Sequence, residues 1–138
     1  MLKVVVDTNV FIAGLLKDST CRKIINNLKD SKFLLITSPD TLNELIGVLA
    51  RPKFHSVITR EIAQSLIDVI KAQSLVVKPR QRLSLVKEDP DDNRFLEVSL
   101  AAKADCIVSG DNDILALKNN FSIPILTASE FLKRLKES

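Results

Sequence analysis

A chain of 138 residues, 46% of them hydrophobic with a mean hydropathy of +0.13, has the size of one globular domain around one core and is rather apolar for that size. No run approaches the ~18 apolar residues of a membrane span, and Met1-Leu2-Lys3-Val4 enters a strand directly, so a cytoplasmic protein with no membrane partner is expected. One histidine and two cysteines, neither near a second Cys or a His in sequence, exclude zinc-type ligand spacing, and a net charge of +3 from 20 Lys+Arg against 17 Asp+Glu leaves a mildly basic body.

The elements alternate along the chain. Val4-Val5-Val6 is a β-branched run apolar on both faces, as buried parallel strands are. Val10, Phe11, Ala13, Gly14 and Leu15 follow with helical spacing, and a second helix is predicted over about 19–30 with Ile24, Ile25 and Leu28 on one face. Residues 33–36 read as the second strand. Ser38-Pro39-Asp40 then gives a capping serine, a proline at the first helical position and an acid in the first turn. That helix carries Leu42, Leu45, Ile46 and Leu49 and ends near Arg51-Pro52. A helix over about 59–72 and a short strand at 75–77 come next.

Asp89-Pro90-Asp91-Asp92 opens the following helix, with Phe95, Leu96, Val98, Ala101 and Ala102 as its buried positions. Strand 106–108, a turn at Gly110, a short helix near 114–117, strand 123–126 and a helix from Ala128 complete the chain. Strands alternating with helices predict one domain over 1–138, a three-layer α/β/α sandwich around a mostly parallel sheet. In such sheets ligands bind beyond the carboxyl ends of the strands, where strand order reverses.

Four acids are directed to that edge. Asp7 and Asp111 each follow a strand, Asp92 starts a helix that must begin there, and Glu44 lies about two turns into its helix. Each also has a plain structural reading. Asp7 and Asp92 can serve helix starts, Asp111 and Asp113 flank a glycine turn, and Glu44 can face solvent. Together they mean more. Four carboxylates about 5–6 Å apart repel by roughly 3 kcal/mol per pair at an effective dielectric of 20, on the order of 15–20 kcal/mol in all. Either some stay protonated or hard divalent cations bind, and Mg²⁺ or Mn²⁺ suits an all-oxygen site. Metal-assisted phosphodiester hydrolysis needs no histidine base, which agrees with His55 being the only one.

At these residues the sequence resembles the PIN domain family of nucleases, which includes the VapC toxins, over essentially its whole length. Asp7-Thr8-Asn9-Val10 is similar to the opening motif, and Glu44 stands in the place of the second acid. Asp92, in Asp-Pro-Asp-Asp-Asn-Arg-Phe-Leu-Glu, resembles the third, and Ser109-Gly110-Asp111-Asn112-Asp113-Ile114-Leu115 the last. The last two motifs resemble most the subgroup of toxin components. The resemblance implies a Mg²⁺- or Mn²⁺-dependent endoribonuclease with Asp7, Glu44, Asp92 and Asp111 as catalytic metal ligands. It implies Asn9, Ser109 and Asp113 as residues that orient ligands or waters, with Asp91 the alternative to Asp92 one residue away. Asp92 is favoured because Phe95 and Leu96 fall three and four positions on. An RNA substrate and a homo-oligomer are implied by the family, and an antitoxin partner by the subgroup alone.

Arg51, Lys53, Arg60, Arg80 and Arg82 are candidates for RNA contact, with Lys78-Pro79-Arg80-Gln81-Arg82 an exposed basic loop that can equally well just solvate. With no Trp or Tyr, base stacking has little to work with and phosphate contacts dominate. Housekeeping RNA processing and an inactive RNA- or partner-binding PIN fold are the alternatives to a toxin. A haloacid-dehalogenase-type phosphatase also begins with an aspartate after the first strand, but needs a second two residues on, where this chain has Asn9. A receiver domain needs paired acids there.

Overall fold

The computed structural model describes residues 1–86 and 92–137. Asp89, Pro90 and Asp91 lie outside the described residues, so the Asp91 alternative is not addressed by them. Five strands form one sheet: β1 (Lys3–Val6), β2 (Leu34–Thr37), β3 (Ser74–Val76), β4 (Cys106–Val108) and β5 (Ile125–Leu126). Their order is β3-β2-β1-β4-β5, and every neighbouring pair is parallel, so the sheet is parallel throughout rather than mostly so. Parallel neighbours need helical crossovers, and the helices are α1 (Thr8–Leu16), α2 (Ser19–Lys29), α3 (Pro39–Leu49), α4 (Arg60–Gln73), α5 (Asn93–Ala102), α6 (Asn112–Leu115) and α7 (Ala128–Glu137).

The two-residue period of each strand divides its side chains between two cores. Val4, Val6, Leu35, Cys106 and Val108 join α1, α2, α4 and α7, whereas Val5, Ile36 and Ile107 join α5 and Ile114 of α6. This is a three-layer sandwich. On the first face the rings of Phe33 and Phe131 meet edge to face, with centroids 5.2 Å apart. Gly14 lets α1 and α2 touch, because a Cβ there would lie 2.7 Å from Ile25 Cδ1.

The Ser38 cap is as predicted, and Thr59 and Asp18 cap their helices in the same way. Ser38 Oγ accepts from the Thr41 N–H, Thr59 Oγ1 from the Ile62 N–H, and Asp18 from the Cys21 N–H. Some expectations fail for identifiable reasons. Ala101 is exposed, because α5 turns that side to solvent just before Lys103 closes it in a left-handed conformation (φ 51°). Ile46, one of the four apolar residues read along α3, is also exposed. The strand predicted over 123–126 pairs only at Ile125 and Leu126.

What positions the site is the strand order. The chain steps from β1 outward to β2 and β3, then returns to pair β4 on the other side of β1. The carboxyl ends of β1 and β4 therefore flank the point where the crossovers change direction.

Candidate metal centre

Asp7 leaves β1 and caps α1, its Oδ1 accepting from the Asn9 N–H at 3.2 Å. It is 2% exposed. Its own N–H donates to the Val108 carbonyl, tying the end of β1 to β4. Ser109, the first residue past β4, is wholly buried, and its Oγ donates to Asp7 Oδ2 at 2.8 Å. The same oxygen accepts from the Asp111 N–H at 3.0 Å. One hydroxyl thus links the two strand ends and fixes the turn that presents Asp111.

Asp111 caps α6 through Oδ1, which accepts from the Asp113 N–H at 2.7 Å. This tight turn brings the Asp113 carboxylate round beside that of Asp111. Asp92 arrives from the start of α5, buried and helical in backbone (φ −64°, ψ −25°), with no capping bond from its side chain. Phe95 and Leu96, one turn on, are buried in the second core and hold that helix start in place. Asp92, Asp111 and Asp113 each offer a carboxylate oxygen, all within 4.8 Å of one another.

The expected convergence is therefore seen for Asp92 and Asp111, with Asp113 drawn into the same group. Asp7 stands behind it through Ser109. Glu44, half-buried on α3, meets α5 through Arg94, whose Nη1 donates to Glu44 Oε2 at 3.4 Å. Asn9 is exposed beside Asp7 and offers its backbone N–H to it.

Two residues with a supporting part escaped the sequence reading. Asn93 is buried. Its Oδ1 accepts from the N–H groups of Leu85 and Val86, and its Nδ2 donates to the Val86 carbonyl. Glu97 is also buried and accepts from the Leu83 N–H at 2.7 Å. Both pin the segment after β3 against α5. Their signal was present as a polar pair at i and i+4 on an otherwise apolar helix face, a spacing that places both on one side.

The donor set suits a hard cation. All three donors are carboxylate oxygens within 4.8 Å of one another, the ligand type that Mg²⁺ and Mn²⁺ prefer. His55 lies on the α3–α4 connection beside the Ala50 carbonyl. Burial pushes the Cys106 thiol up to about 11, so it offers no thiolate at neutral pH.

The fold and sequence both have relatives. The chain is 28% identical over 146 residues to protein MJ1680 of Methanocaldococcus jannaschii, itself described as uncharacterized, covering 99% of this chain and 93% of that one. The crystal structure of PAE2754 from Pyrobaculum aerophilum superposes with a TM-score of 0.67 at 14% identity, covering 100% of this chain and 91% of the other, a likeness of fold. PIN domains generally have a metal-dependent nuclease fold, in keeping with the acidic cluster at the strand ends. Residues 3–113, from the first strand to the last acid of the cluster, match the family described as PIN domain, and the chain belongs to that family.

Proposed function

We propose that this protein is a Mg²⁺- or Mn²⁺-dependent endoribonuclease that hydrolyses RNA phosphodiester bonds. The observation that carries the reading is the meeting of Asp92, Asp111 and Asp113 oxygens within 4.8 Å beside the switch point of the sheet. In this reading Asp92 and Asp111 hold the metal, with Asp113 adjoining them. Asp7 completes the acidic floor, fixed by Ser109, and Glu44 lies at the margin toward Arg94. A bound divalent cation would polarise a phosphoryl oxygen and acidify a water, so no histidine is required. The chain's own part is to hold the carboxylates in position and to set Asp7 and Asp111 at a fixed spacing through one hydroxyl.

Support for RNA as substrate is indirect: a basic body around an acidic centre suits a polyanion held near cations. The toxin assignment rests on the wording of the motifs at Asp92 and Asp111. An antitoxin would be its partner, and the exposed Ile46, Val57 and Ile62 near the α3–α4 connection offer apolar surface for self-association. Such an enzyme would work in the cytoplasm, and no helix among the described residues is long and apolar enough to cross a membrane.

The test is cleavage of labelled single-stranded RNA by purified protein with Mn²⁺ or Mg²⁺. Activity is expected in the wild type and lost in EDTA, in Asp7→Asn and in Asp111→Asn. Cleavage by Asp7→Asn at the wild-type rate would refute the chemistry. Growth arrest on expression, relieved by a small protein encoded next to it, is the outcome expected of a toxin.

A further inference from the structure

A second polar cleft lies on the same edge of the sheet. It holds about 220 Å³ between the start of α3 and the segment after β3, and its charged walls are Asp40, Lys78, Arg82, Arg94 and Glu97. Ser38 follows β2 and Lys78 lies just beyond β3, one and two strands from β1, so the cleft is displaced roughly 10 Å across the sheet from Asp7. Arg94 connects the two places. It lines the cleft, stands two residues after Asp92 and donates to Glu44.

Three cations meet two carboxylates in the cleft wall, with Glu44 a third acid beside Arg94, and the carboxylates are not equivalent. Glu97 is 6% exposed and committed, accepting from the Leu83 N–H at 2.7 Å and from Arg82 Nη1 at 3.4 Å. It anchors the basic segment and steers Arg82 into the cleft. Asp40 is exposed at the mouth. Of the basic run at 78–82, Lys78 and Arg82 line the cleft and Arg80 does not. The volume is below the ~300–1,000 Å³ of pockets that enclose whole organic ligands, which favours a small anionic group on a chain continuing outside.

We propose that this cleft is a phosphate subsite, formed by Lys78, Arg82 and Arg94, that grips the sugar–phosphate backbone of the substrate strand a few nucleotides from the scissile bond. The proposal rests on the nuclease reading for its substrate class. The strand would run from the acidic cluster over Arg94 toward the start of α3, with sequence-independent affinity supplied at this second point.

The experiment is fluorescence anisotropy with a labelled single-stranded RNA oligomer in EDTA, so that no cleavage occurs, over a range of KCl concentrations. Wild type is compared with Lys78→Gln/Arg82→Gln and with Lys71→Gln, an exposed cation on α4 away from the cleft. The double variant should weaken binding roughly ten-fold and flatten the dependence of log Kd on log[KCl] by about 0.7, the share of one phosphate on a single strand. Lys71→Gln should leave both as in the wild type. In Mn²⁺ the double variant should raise KM with kcat retained. No binding by the wild type, equal effects from Lys71→Gln, or an unchanged salt slope in the double variant would overturn the subsite. If the flattened slope appears while no RNA is ever cleaved, the subsite stands and the nuclease reading falls. Melting curves establish that each variant is folded.

Discussion

Removing one charge from the cluster should stabilise the metal-free protein and abolish its response to metal. Asp111→Asn is the cleanest change, since the amide oxygen can still accept from the Asp113 N–H and asparagine caps a helix about as well as aspartate. Two ionised carboxylates 4.8 Å apart repel by about 1 kcal/mol at the dielectric of water and by about 3.5 kcal/mol at an effective dielectric of 20. Asp111 takes part in two of the three pairs and is half-buried, which puts the relief near the lower end, about 2 kcal/mol. A few tenths are lost again at the start of the short α6. For a domain of this size 1 kcal/mol moves Tm by about 3–4 °C, so in EDTA the variant should melt about 5–7 °C above the wild type. With Mn²⁺ at a hundred times its Kd the wild type gains about 2.7 kcal/mol, or about 9 °C, and the variant little, so the order inverts. Thermal melts monitored by circular dichroism in the two buffers measure all four values. Equal Mn²⁺ shifts in both proteins, or a variant less stable than wild type in EDTA, would refute the reasoning.

Two further outcomes are expected. Ser109→Ala removes the hydroxyl that joins Asp7 to the Asp111 N–H in a fully buried place, which should cost about 1–3 kcal/mol in urea unfolding at unchanged m; a cost under about 0.5 kcal/mol would mean that the bridge does not hold the strand ends. Cys106 titrates near 9.0 when unperturbed and is raised to about 11 by burial in the fold. The folded chain therefore keeps its proton after the unfolded chain has lost it, and stability is full below pH 9 and declines as pH rises through about 11. Urea titrations between pH 7 and 11 test this, and a Cys106→Ala variant should lose that part of the decline.

The order of elements was legible because the signals were local. A β-branched run too short for a helix, a Ser-Pro-Asp helix start and a glycine turn after an apolar strand each depend on a few adjacent residues, and each appears where predicted. Strand order was less accessible. That β4 pairs with β1 rather than extending beyond β3 depends on long-range packing, and so does the exposure of Leu75 and Val76 on an edge strand. In the cluster, position in the chain was enough to send Asp92 and Asp111 to the same edge. The arrival of Asp113 depended on a turn closed by a 2.7 Å bond from the Asp113 N–H to the Asp111 carboxylate, which the sequence motif did not specify. Glu44 illustrates the opposite limit. Its turn of α3 was legible, but its pairing with Arg94 depends on how two helices meet across the sheet edge.

The capping and the metal-binding readings of these acids turn out to be compatible, and this decides whether the protein folds without metal. Asp7 caps α1, Asp111 caps α6 and Asp92 stands at the start of α5. Each helix start presents a partial positive charge of about half a unit, worth about 0.3–1 kcal/mol to a nearby anion and up to about 2 kcal/mol when partly buried. Repulsion among the three clustered carboxylates is about 3 kcal/mol at the dielectric of water, to which Asp113 is exposed and Asp111 partly exposed. The starts of α5 and α6 therefore offset part of what the cluster costs, and the remainder lies within the ~5–15 kcal/mol stability of a domain, so neither protonation nor a bound cation is needed for the chain to fold. In EDTA at neutral pH the wild type should keep its far-UV circular dichroism and unfold in one cooperative transition, with metal moving the midpoint rather than creating it. If chelation alone unfolds the protein, the offset from the helix starts is much smaller than the geometry implies, and the cation is part of the fold rather than an addition to it.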